Sequence, residues 1–121
     1  MKALLILSLA VLLSSPLYPV KNGVYKVEYS TGNVGKISFD GKDFKEWSLN
    51  DNMIARYEIT FKDSTRAQLK TIGAYVPGKN YLLGQTLNAS VYQDKKRGLR
   101  RMVINFNKGK PVTLKVLMKM H

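Results

Sequence analysis

The 121-residue chain has no cysteine, one histidine, one tryptophan, and eight acidic residues against 20 lysines and arginines. Without cysteine there is no disulfide framework, no thiolate nucleophile or metal ligand, and no residue for lipid attachment behind a leader. The single histidine, His121, is the last residue, where chain ends are seldom held in place. A Ser–His or Cys–His nucleophile and a His or Cys zinc site therefore have nothing to be built from. The nine glycines are scattered at turn-like positions, so no glycine-rich phosphate loop is present. Neither a cofactor nor a metal is expected, and the chain reads as noncatalytic.

Among the few acids, Asp40, Asp43 and Glu46 fall close together. A carboxylate pair or a calcium site is conceivable there, but the spacing matches no calcium loop, and Asp40-Gly41 is what a tight turn requires. A hydrolase using the Asp40 to Glu46 region is the third-ranked functional reading.

What is present begins with the first twenty residues. Lys2 is followed by a run from Ala3 to Leu13 made only of Ala, Leu, Ile, Val and Ser8, then by Ser14, Ser15 and Pro16. This is the three-part layout of a secretory signal. At ~1.5 Å per residue the run is too short for a ~30 Å bilayer core. Residues 1–20 are thus expected to be a signal peptide or N-terminal leader. Residues 21–121 are expected to be a single domain, exported to the periplasm or secreted, with no transmembrane span in the mature chain. Small residues do not stand both three before and one before a cut near Ser14 or Ser15, so the cleavage point is not written in the sequence. The remainder is long enough for one modest core.

From Gly23 onward the chain alternates between short patterned runs and turn residues. The breaks fall at Ser30–Asn33, Asp40–Lys42, Asn50–Asn52, Lys62–Ser64, Pro77–Asn80, Asp94–Gly98 and Asn107–Pro111. Their rhythm, with period-two alternation between them and no sustained helical period, predicts an all-β fold. Seven hairpin-length breaks imply a single antiparallel meander of about eight short strands, as a small up-and-down barrel or a two-sheet sandwich. Parity assigns inward sets: Tyr25, Val27, Tyr29; Ile37, Phe39; Trp47, Leu49; Met53, Ala55, Tyr57, Ile59, Phe61; Leu87, Ala89, Val91; Met102, Ile104, Phe106; Val112, Leu114, Val116, Met118. Between Ala67 and Leu83 the apolar residues do not keep one parity, which predicts a bulge or a break near Gly73. A barrel this small is expected to be filled by its own side chains. If it is hollow instead, Tyr25, Tyr29, Trp47 and Tyr57 would line a site for an apolar ligand, the second functional reading. Asn88-Ala89-Ser90 matches an N-glycosylation acceptor, which matters only in a eukaryotic secretory route.

Charge is the remaining signal. Nine basic residues lie between Lys95 and the end, a stretch without a single acid. If Asn107–Pro111 closes a hairpin with Phe106 facing Val112 and Ile104 facing Leu114, Lys119 arrives beside the turn of Lys95, Lys96 and Arg97. With Arg100 and Arg101 these form one positive pole, while Lys108 and Lys110 sit at the opposite end. Such a pole attracts an anionic envelope polymer, a lipid head group or an acidic protein. The same lysines also serve to guard strand edges. Nucleic acid is a poorer fit, because only Tyr92 among the nearby aromatics is placed to stack on a base. The first functional reading is therefore an exported binding or inhibitory protein that uses this cationic C-terminal hairpin.

Overall fold

The computed structural model describes residues 20–78, 80–106 and 109–120. The expected leader, apart from Val20, lies outside the described residues, as do Lys108 and His121. Eight strands follow one another: β1 (Gly23–Tyr29), β2 (Val34–Asp40), β3 (Asp43–Trp47), β4 (Met53–Phe61), β5 (Arg66–Ala74), β6 (Thr86–Asp94), β7 (Gly98–Asn105) and β8 (Val112–Lys119). A single 3-10 turn, Asn80–Leu82, lies between β5 and β6. Each strand pairs antiparallel with the next, and β1 pairs with β8, closing the meander into a barrel rather than a sandwich. All seven sequence breaks coincide with the connections. The tightest is the two-residue loop between Asp40 and Asp43, where Gly41 takes φ of 62°. A left-handed residue at this position matches the loop to the twist of the two strands, and glycine adopts it without a Cβ clash.

Four bulges decide which residues point inward. On β5, Tyr57 faces Thr71 but Arg56 faces Gly73, so Ile72 is the extra residue and stays exposed. This is the irregularity expected near Gly73. On β7, Tyr92 faces Arg101 while Gln93 faces Leu99, so Arg100 is extra. Leu99 and Met102 can then both be buried, with Arg100 and Arg101 both outside.

The other two bulges correct the simple parity. Between Glu46 and Trp47 the partner on β4 steps from Ala55 to Met53, so Ile54 packs against the core and Met53 does not. Trp47 is half-buried on the outer face, where its indole N–H donates to Ser38 Oγ at 2.9 Å. Leu49 lies in the following turn, 48% exposed. The inserted Ile54 puts Met53 out of parity with Ala55. Trp47, by contrast, is outward because β3 buries the opposite parity, Phe44 and Glu46, and Leu49 lies beyond the strand; the inward expectation fails at all three. Between Lys26 and Val27 the partner on β8 steps from Met118 to Val116, which leaves Met118 outside at 54% exposure. The last hairpin also differs by two residues from the expected register: Ile104 faces Val112 and Met102 faces Leu114. A shift of two conserves the face, so the inward apolar residues there are still inward.

The barrel interior has an aromatic wall and an aliphatic wall. Phe39, Phe44 and Tyr57 stand at one level on neighbouring strands and stack at 4.7 Å and 5.3 Å between centroids, with Tyr25 edge-on to Phe39 at 6.1 Å. Leu69, Leu87, Val91, Leu99, Met102, Ile104 and Leu114 face them, fully buried. The waist is thus filled by its own side chains. The end that carries the β2–β3, β4–β5 and β6–β7 turns is held by Val20, buried against the core, and by Tyr25, whose hydroxyl donates to the Lys21 carbonyl at 2.8 Å. At the opposite end Leu82 of the 3-10 turn tucks into the core.

Truncation should separate these positions. Phe44→Ala is expected to cost ~3–5 kcal/mol in urea unfolding, since it removes the centre of the ring stack. Leu49→Ala is expected to stay within ~0.5 kcal/mol. Equal losses at the two positions would contradict the burial of Phe44 in the barrel and the exposure of Leu49 in the turn after β3.

Candidate functional site

Regular alternation along β3 places Glu46, like Phe44, inside the barrel, where it is 2% exposed, and Trp47 outside. It stands between Ile37 on β2 and Ala55 on β4, and the small Ala55 leaves room for its carboxylate. Tyr57 donates its hydroxyl to Glu46 Oε1 at 2.6 Å, and Tyr29 donates to Oε2 at 2.8 Å. Tyr29 belongs to β1 and must reach across β2 to do so. Gly35 permits the crossing: a Cβ there would lie 3.2 Å from the Tyr29 ring and 3.0 Å from the Trp47 carbonyl.

Each carboxylate oxygen thus accepts one short hydrogen bond, while a carboxylate offers about four acceptor directions. Among the described residues no lysine or arginine forms an ion pair with Glu46. Burial pushes the Tyr29 and Tyr57 hydroxyls far above the ordinary phenol range, and the Glu46 charge and its hydrogen bonds push them in the same direction. Both phenols therefore stay neutral donors. Next to Tyr57 in register, Thr71 is buried with its Oγ1 unpartnered.

Glu46 and Tyr29 form part of the lining of a cavity of about 680 Å³ at the end that carries the β1–β2, β3–β4, β5–β6 and β7–β8 connections. Its walls are mainly apolar and aromatic, with Trp47, Ile54, Tyr81 and Phe106 among them. The volume falls in the ~300–1,000 Å³ range of small-molecule sites. Tyr81 and Leu83 of the β5–β6 connection, Leu49 and Val34 are all exposed around this end. The cavity is therefore an apolar mouth with one anionic group on its inner surface.

The sequence-expected cationic residues gather at the other end, though not as one uniform pole. Lys95, Lys96 and Arg97 occupy the exposed β6–β7 turn. Lys119 faces Tyr25 across the β1–β8 closure, its ammonium 5.9 Å from the ring centroid. Arg100 lies 3.8 Å from Asp94, whose carboxylate also accepts the Lys96 backbone N–H at 2.8 Å. That backbone bond is the main reason the Asp94 carboxyl is held below the ordinary aspartate value. Arg101 lies on the barrel wall, its guanidinium 4.3 Å above the Tyr92 ring, opposite Lys115. Lys110, expected at the far end, lines the cavity mouth.

Asp40, Asp43 and Glu46 do not converge. Asp40 is exposed beside the turn, whereas Asp43 lies on the outer face in ion pairs with Arg56 and Lys45. Glu46 is inside the barrel. The three-carboxylate cluster imagined from sequence proximity is thus split between the two faces of β3. Among the described residues no group of three His, Cys, Asp or Glu stands close enough to hold a metal ion.

Sequence reasoning missed Glu46 as an interior residue. The available signal was Phe44, which shares its parity and belongs to the apolar set of the barrel. No protein-family model, curated protein or solved structure matches this chain.

The Tyr29–Glu46–Tyr57 network makes a specific alkaline prediction. Free phenols ionise near pH ~10. Because the folded values are raised, the network contributes stability that is fully present below that pH and is lost as pH climbs beyond it. Tyrosinate absorbance should show Tyr29 and Tyr57 ionising only as the barrel unfolds, and Glu46→Gln should bring their ionisation to lower pH. Reversible titration of every tyrosine near pH ~10 in the folded protein would contradict the network.

Proposed function

We propose that this protein is a noncatalytic binding protein that takes a small, partly apolar molecule into the open mouth of its barrel. The supporting observation is the combination at one end of a cavity of about 680 Å³, aromatic lining and a buried carboxylate held by two phenols. Pockets of this kind, mostly apolar with a few fixed polar groups, are what ligand orientation requires. The Lys2 and Ala3–Leu13 leader supports a role outside the cytoplasm, in the periplasm or secreted.

A neutral dye such as N-phenyl-1-naphthylamine tests this reading. Its fluorescence should rise on titration with the protein, and Val76→Trp, which fills the mouth, should weaken binding at least ~tenfold with little change in the unfolding midpoint. An unchanged affinity in the filled variant, or no binding by the parent protein, overturns the reading.

A second reading concerns the opposite end: contact with an anionic envelope polymer, a lipid head group or an acidic protein. It is supported by the exposed Lys95, Lys96 and Arg97 turn, with Lys119 brought to the same end. Exposed charges are screened beyond ~10 Å at about 0.1 M salt, so such binding should fall with ionic strength. Replacing Lys96, Arg97 and Arg101 by serine should weaken binding to anionic vesicles or heparin more than replacing Lys26, Lys36 and Lys62. Equal losses would reduce the effect to net charge.

A further inference from the structure

Glu46 presents an unusual balance for a chain of net charge +12. Among the described residues, 19 of the 21 buried non-glycine side chains are hydrophobic, and Glu46 is the only acid among them; the other exception is Thr71. A carboxylate withdrawn from water loses several kcal/mol of hydration, which buried carboxylates normally recover from a cation and several hydrogen bonds. Here two neutral phenols supply hydrogen bonds, but no cation of the described residues pairs with it. The acids on the outer wall are treated differently: Asp43 pairs with Arg56 and Lys45, Asp51 with Lys36, and Asp63 with Arg66. Among the described residues, Glu28, Asp40 and Glu58 also form no ion pair, but they stand exposed to water; Glu46 is the buried acid without a cationic partner, and it lines the cavity.

We infer that the ligand of this cavity is an organic cation, an amine or amidine on an apolar body, whose charged head is received by Glu46. The inference rests on the cavity reading above and names the chemistry of its ligand. The phenols hold both carboxylate oxygens in place, so the acceptor is oriented before the ligand arrives. The walls suit the rest of the molecule: Tyr29 and Phe106 bring aromatic rings to the cavity, and Ile54 and Leu82 offer apolar surface. An anionic ligand would meet the Glu46 charge in a poorly hydrated site, whereas a neutral one would leave that charge unpaired.

The long-range field opposes a cation, because the remainder of the chain is strongly positive. Selectivity must then be local, and should be read near ~0.15 M salt, where distant charges are screened beyond ~8 Å. Displacement of the neutral dye named above provides the optical signal.

The test titrates the full-length protein with benzylamine, benzyl alcohol and benzoate, which share a ring and differ in the charge of the head group. Benzylammonium is expected to bind at least ~tenfold more tightly than benzyl alcohol, with benzoate weakest. Glu46→Gln should abolish the amine preference while leaving the alcohol affinity within about twofold. The three-ligand comparison on the parent protein decides the matter even if Glu46→Gln does not fold. If benzyl alcohol or benzoate binds as well as the amine, the cation assignment fails and the cavity reading stands. If the neutral dye binds and is displaced by none of the three, the cation assignment likewise fails alone. If neither the dye nor any of the three binds, both readings fall together. An amine preference that persists in folded Glu46→Gln would place the cation elsewhere and overturn the assignment to Glu46.

Discussion

Pairing of the first strand with the last, residues 25–29 of β1 against 114–119 of β8, is the constraint on which the other features rest. An open meander of eight short strands would leave two edges of unpaired backbone groups and a half-covered apolar face. Closure satisfies the edges and turns every inward side chain toward one enclosed volume. It also carries Lys119 onto Tyr25 at the far end, a contact that a sheet left open between β1 and β8 would not make.

Within the closed barrel, packing is divided along its length. The middle is dry and tightly filled, with three stacked rings on one side and branched aliphatic side chains on the other. Toward the mouth, small or polar residues replace bulky ones: Gly35 on β2, Glu46 on β3, Ala55 on β4 and Thr71 on β5. The stacked core carries stability, and the layer above it gives up packing for a polar network and an accessible cavity. Such a network specifies geometry at some expense in stability, because apolar residues of the same volume would pack there without a desolvation cost.

Charge follows the two ends. The excess of lysine and arginine in the last quarter of the chain is delivered largely to the exposed β6–β7 turn and the outer wall of β7 and β8, where Asp94 offsets part of it. The buried negative charge is at the other end. A chain with a high average positive charge thus has its one interior charge of opposite sign, a distinction that composition cannot express.

Sequence periodicity by itself determined that the chain is an all-β meander of about eight strands and where the breaks between them fall, because turn residues and period-two alternation are local properties of the backbone. It also determined most of the interior: Tyr25, Ile37, Phe39, Tyr57, Leu87, Val91 and Leu114 are buried as their parity requires. It identified the basic residues of the final quarter, but not which of them stay exposed and which, like Arg100, meet an acid. Met53 and Met118 escaped it because a bulge inserts one residue and reverses the parity across it, and Trp47 and Leu49 because β3 buries Glu46 with Phe44 in place of the apolar pair. Only the tertiary structure decided that the meander closes, that the last hairpin is shifted by two residues, and that Glu46 is drawn inside. Those outcomes depend on contacts between residues far apart in the chain, such as Tyr29 with Glu46, and the energy of such a contact appears only after closure has removed both groups from water.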